Sequence, residues 1–174
     1  MGALTSLSRI QSPLAPSAAS DVVRLADVEV LVWKTTTQSF TSTTTLANVT
    51  DLVFSLAANT KYAFDGFIIY DGSTASDIKV AFTVPTGATV NYSAFAPATG
   101  VSATSMNAFG ANASDGALGI AVNGANNLMG MNPKGYVATS GTAGSLQFRG
   151  AQQASGGTAS RIFVGSWLRL SKLG

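Results

Sequence analysis

The chain has 174 residues and a mass of 17.7 kDa, a length that suits one domain around a single core. Ala, Ser, Thr and Gly fill 84 positions, and Asp, Glu, Lys and Arg only 18, which excludes a highly charged helical surface. Without histidine or cysteine the chain lacks an imidazole base, the commonest metal ligand, any thiol nucleophile and any disulfide, and ten basic against eight acidic residues give no ground for a nucleic-acid partner.

Residues 1–24 carry Pro13, Pro16 and the run Ser17 Ala18 Ala19 Ser20, with Leu4, Leu7, Ile10 and Leu14 spaced three or four apart. That spacing allows one helical turn before Pro13. A solvated leader is the competing reading, because termini make few contacts. Twenty-four extended residues reach about 80 Å, enough to cross a neighbouring subunit. The segment is therefore expected to be an assembly arm, with Leu4, Leu7, Ile10 and Leu14 as its contacts, ahead of a β domain over 25–174. Nowhere does the chain hold the roughly 18 apolar residues of a membrane helix, and the start lacks the features of a secretory signal; no membrane partner is expected.

From Val28 the pattern turns to period two, and the threonines between Thr35 and Thr45 favour strand over helix. Leu52, Phe54 and Leu56 share one face of a strand, as do Ile78, Val80, Phe82 and Val84 of another. Between them, Tyr62, Phe64, Gly66, Ile68 and Tyr70 share one phase while Phe67 and Ile69 load the other, predicting a strand covered on both sides. Asp71 Gly72 opens a turn that runs to Asp77.

Residues 85–134 are dense in Gly and Asn, so turns are expected, with short strands near Thr89–Phe95 and Ala117–Val122. The glycines Gly141 and Gly144 signal a hairpin. Leu146 and Phe148 alternate with Gln147 and Arg149, and a last strand is predicted with Ile162, Val164, Ser166, Leu168 and Leu170 on one face against Phe163, Gly165, Trp167 and Arg169. About eight short strands with no crossover helix predict an antiparallel jelly-roll sandwich, all-β. Such a sandwich buries one face of each strand. Phe67, Ile69, Phe163 and Trp167 on the second faces are thus expected at a subunit interface, with a homotrimer as first choice.

Catalytic chemistry finds little purchase. The acids Asp21, Asp27, Glu29, Asp51, Asp65, Asp71, Asp77 and Asp115 show no spacing that nominates an acid/base pair. Asp71 and Asp77 bracket a polar loop but do not follow a calcium-loop pattern, so both are read as turn formers. Asp65, if buried, needs Lys61, Lys79 or a backbone amide as partner. Arg149, Arg161, Arg169 and Lys172 read as solvated face positions. Tyr92 and Trp167 offer rings for a sugar, although core or interface is the commoner fate of such residues.

Leu31 Val32 Trp33 Lys34, Asp51 to Leu56, Asn59 to Gly66, Asp77 to Pro85, Gly144 to Arg149 and Gly165 to Leu170 together resemble small virion proteins of tailed bacteriophages. The likeness covers about residues 28–174 and consists of strand residues and turns. It implies a trimeric jelly roll related in shape to the tumour-necrosis-factor fold, with no catalytic residue, cofactor or metal. On this reading the chain is made in the host cytoplasm and joins the virion, as a capsid decoration protein bound to the shell through its arm. The alternative that the resemblance leaves open is a receptor-binding head of the tail, with host surface glycan as partner.

Overall fold

The computed structural model describes residues 29–97, 106–108 and 116–173. The arm residues Leu4, Leu7, Ile10 and Leu14 lie outside this set. Twelve strands form, and no helix among the described residues: β1 (Glu29–Trp33), β2 (Gln38–Phe40), β3 (Ala47–Leu56), β4 (Lys61–Asp71), β5 (Ile78–Thr83), β6 (Thr89–Pro97), β7 (Met106–Ala108), β8 (Leu118–Ile120), β9 (Met129–Ala138), β10 (Gly144–Gln152), β11 (Ser160–Ile162) and β12 (Trp167–Leu173).

The pairings are nested. β1 pairs β12, β2 pairs β11, β3 pairs β10, β4 pairs β9 and β5 pairs β8, all antiparallel. This is one long hairpin, with β6 and β7 at its tip. Rolling it brings β12 against β4 and β10 against β5, which separates a larger sheet containing β1-β12-β4-β9-β6-β7, with β2 and β11, from a smaller one, β3-β10-β5-β8. The successive links from β3 to β4 to β5, and from β8 to β9 to β10, each cross between the sheets. The result is the expected all-β antiparallel sandwich wound as a jelly roll.

The alternation of apolar residues places the core between the sheets. Phe82 on β5 sits at its centre, 4.7 Å from the ring of Phe64, 5.1 Å from Tyr92 and 5.0 Å from Phe148. Four strands from both sheets thus meet at one cluster, where each ring contributes about 1.5–3 kcal/mol by leaving water. Tyr92, a candidate sugar platform in the sequence, is a core residue with 2% exposure.

Four expectations change. The threonine-rich stretch holds only the three-residue β2, because the segment before it leaves the sheet to bury Lys34. The glycine-rich region ends in the ten-residue β9, which lies centrally between β4 and β6. Its apparent breakers have tertiary reasons: the Phe64 ring occupies the space a side chain on Gly135 would need, and the Phe67 ring does the same at Gly130. Pro133 falls where the β4 ladder skips from Asp65↔Lys134 to Ile68↔Met131, and the Asn132 side chain donates to the Gly66 carbonyl instead (3.3 Å). Gly141 and Gly144 mark a crossing between sheets, since β9 and β10 are not neighbours. The last strand is broken in two by a turn at Gly165 (φ 87°), leaving Val164 exposed while Ser166 is buried and accepts from the Ile69 amide (2.9 Å).

Candidate functional site

Strand register assembles the outer face of the larger sheet into rows. Trp33 on β1 lies beside Trp167 on β12, which lies beside Phe67 on β4. The row continues through Asn132 on β9 to Phe95 on β6. Four strand spacings make it about 19 Å long. Trp33 is 57% exposed, Phe95 47% and Phe67 36%, and Trp167 is half-buried between its two aromatic neighbours. Gly130 lets the Phe67 ring lie flat, since a Cβ there would stand 2.5 Å from it.

Of the residues expected at an interface, Phe67 and Trp167 are therefore adjacent, and Ile69 and Phe163 are half-buried beyond the row. The Phe163 amide donates to the Ile69 carbonyl (2.9 Å), and the Arg161 guanidinium stands 5.1 Å over the Phe163 ring. Trp33 and Phe95 were not singled out by the sequence; the phase that Trp33 shares with Leu31 was the available signal.

The next row is polar. Leu31 faces Arg169, then come Asp65, Lys134 and Ser93. Arg169 donates to both oxygens of Asp65 (2.9 and 2.8 Å) and stands 3.7 Å from Glu29. Asp65 is thus paired with an arginine across the sheet, not with Lys61, Lys79 or a backbone amide. A groove of about 370 Å³ between β6 and β9 is lined by Asn91, Ser93, Lys134 and Tyr136, among others.

The remaining described carboxylates are also engaged. Asp71 is fully buried and receives Arg161 through both of its oxygens, together with the Asn126 amide (2.7 Å). Arg161 is therefore an ion-pair partner and not a solvated face position. Asp77 accepts from the Val122 amide (3.0 Å), and burial pushes its carboxyl above the usual range. Asp51 accepts from the amide and hydroxyl of Thr35 (3.0 and 2.8 Å), contacts that hold its carboxyl below the usual range. Among the described residues no group of three or more acids is placed to hold a metal ion.

Lys34 is fully buried beside Asp51. Where β10 advances two residues, from Gln147 to Arg149, β3 advances five, from Val53 to Asn48. Thr50 lies in this bulge and is exposed, and the buried Lys34 donates to its hydroxyl (2.6 Å) and its carbonyl (3.1 Å). Gln38 closes the bulge from one side and Gln147 from the other. Burial pushes the Lys34 ammonium below its ordinary range, with Asp51 opposing. This cluster braces the end of β1.

No family model matches the sequence, and no curated protein matches it. Among solved structures the chain is similar to the tripod from the baseplate of bacteriophage Tuc2009, with 11% identity and a TM-score of 0.38 over 99% of this chain and 82% of that one. It is similar to a carbohydrate binding module from Cellvibrio mixtus lichenase 5A, solved with cellotriose, at 16% identity and a TM-score of 0.32 over 84% of this chain and 99% of the module. The infectious bursal disease virus VP2 subviral particle is similar at 9% identity and a TM-score of 0.20, over 94% of this chain and 42% of VP2.

Proposed function

We propose that the chain is a non-enzymatic structural protein of a tailed-phage particle, a homotrimer that decorates the capsid and holds the shell through residues 1–24. The observation that carries the interface is the aromatic row Trp33, Trp167, Phe67 and Phe95 on the outer face of a sheet whose inner face already fills the core. A strip of this kind, aromatic except at Asn132, marks a contact surface, and each ring contributes about 1.5–3 kcal/mol when fully covered. Three copies then act on the shell at high effective concentration, so weak arm contacts add up. The virion setting is supported by the resemblance of the strand residues to small phage proteins. The absence of an enzymatic role is supported by the engagement of each described carboxylate with a structural partner.

The test is labelling of the protein in intact particles. Signal over heads is expected; signal at tail tips overturns decoration in favour of the receptor-binding alternative. Deleting residues 1–24 is expected to abolish binding to empty capsids while leaving trimers intact. A truncated protein that still decorates shells removes the arm from the mechanism.

A further inference from the structure

We infer that copies join edge to face: the β1 margin of one subunit seats in the β6/β9 groove of the next, and Glu29 of the first pairs with Lys134 of the second. This deepens the trimer proposal and rests on it.

β1 lies at a margin of the larger sheet and is apolar on both of its faces. Val30 is 47% exposed and Leu31 51%, and they point to opposite sides of the strand. The strand carries no proline, glycine or lysine of the kind that normally blunts an edge. A partner that covers both faces must meet β1 edge-on. An edge-to-face contact joins two different patches, so it is heterologous and forms a ring where its rotation closes.

The groove supplies the complementary patch. Asn91, Ser93, Lys134 and Tyr136 line it, and among the described residues their side chains show no hydrogen bond or ion pair. Lys134 has no ion-pair partner among the described residues, because its cross-strand neighbour Asp65 is held bidentately by Arg169. Glu29 is the acid of the same face with the loosest hold, a single 3.7 Å contact to that arginine. Within one copy the two cannot meet: β12 and β4 separate β1 from β9, a gap of about 14 Å. A second copy brings them together. The groove also adjoins the aromatic row through Phe95, two residues along β6 from Ser93, so the apolar and ionic contacts form one continuous surface.

Charge reversal tests the pairing in the full-length protein. Light-scattering mass against concentration is measured for wild type, Lys134→Glu, Glu29→Lys and the double reversal, with Lys61→Glu as a control on the same face outside the groove. Each single reversal is expected to raise the dissociation midpoint at least about tenfold, as close charge pairs at interfaces do. The double is expected to restore it, and the control to leave it in place. A trimer indifferent to both single reversals overturns the pairing but spares the trimer. So does a double that is not restored, or a control as damaging as Lys134→Glu. A wild-type protein that stays monomeric throughout overturns the trimer itself.

Discussion

The Lys34 ammonium lies 2.6 Å from the Thr50 hydroxyl, and this contact fixes the end of β1 to the bulge of β3. Without it the carbonyl and hydroxyl of Thr50 lose their buried donor. Lys34→Met is expected to cost about 1.5–3 kcal/mol, the worth of hydrogen bonds made by a charged group, seen as a lower urea midpoint. The pH response has a defined sign. With the folded-state value lowered below 10.5, the unfolded chain binds more protons between the lowered value and 10.5. Stability of the wild type therefore rises with pH across that window, and Lys34→Met removes the rise.

Asp77 gives the opposite slope. Burial raises its carboxyl above the ordinary 3.8, so the folded state binds more protons between 3.8 and the raised value, and this group's contribution falls as pH increases through that interval. Asp77→Asn keeps an acceptor for the Val122 amide, and asparagine tolerates the φ of 51° at this position. The variant is expected to gain stability over wild type at neutral pH, with the gain vanishing below pH 3.8. Urea titrations at several pH values read both.

Removing Arg161 leaves Asp71 buried with only the Asn126 amide. Arg161→Ala is expected to cost about 3–5 kcal/mol, as breaking one side of a buried pair does. Arg161→Met combined with Asp71→Leu should recover most of the loss, because no charge is then stranded. Chemical denaturation of the two variants beside the wild type checks the order.

Gly130 and Gly135 both stand under phenyl rings, yet their substitution should differ. A Cβ on Gly135 meets the backbone oxygen of Asn91 at 2.7 Å as well as the core ring of Phe64, whereas on Gly130 it meets only the Phe67 ring. Phe67 is partly exposed and has room to turn. Gly135→Ala is expected to destabilise by about 1–3 kcal/mol through overpacking. Gly130→Ala should spare the midpoint of denaturation but weaken self-association by lifting Phe67 out of its row. Thermal melts and light-scattering mass separate the two.

Much of the sandwich is legible in alternation alone. Leu52 to Leu56, Tyr62 to Tyr70 and Ile78 to Phe82 show strand, face and burial without tertiary knowledge, since one side of each meets the core. β9 is not legible, because Gly130, Pro133 and Gly135 mimic turns and are explained only by rings and a carbonyl from β4, some seventy residues earlier. The site divides in the same way. Phe67 and Trp167 advertise themselves as large residues in the polar phase of a strand, but that Trp33 completes their row depends on register between chain segments over a hundred residues apart. Tyr92 takes the commoner fate of a strand aromatic, the core, and not the sugar platform that its ring also offered.

Nesting has a consequence for timing. Inner ladders close short loops, whereas β1 and β12 join residues as distant as Glu29 and Ser171, so the outermost ladder costs the most loop entropy and belongs to the slowest class of contacts to form. Trp33 and Trp167 share that ladder. The paired tryptophans therefore stand side by side only once β12 has docked on β1.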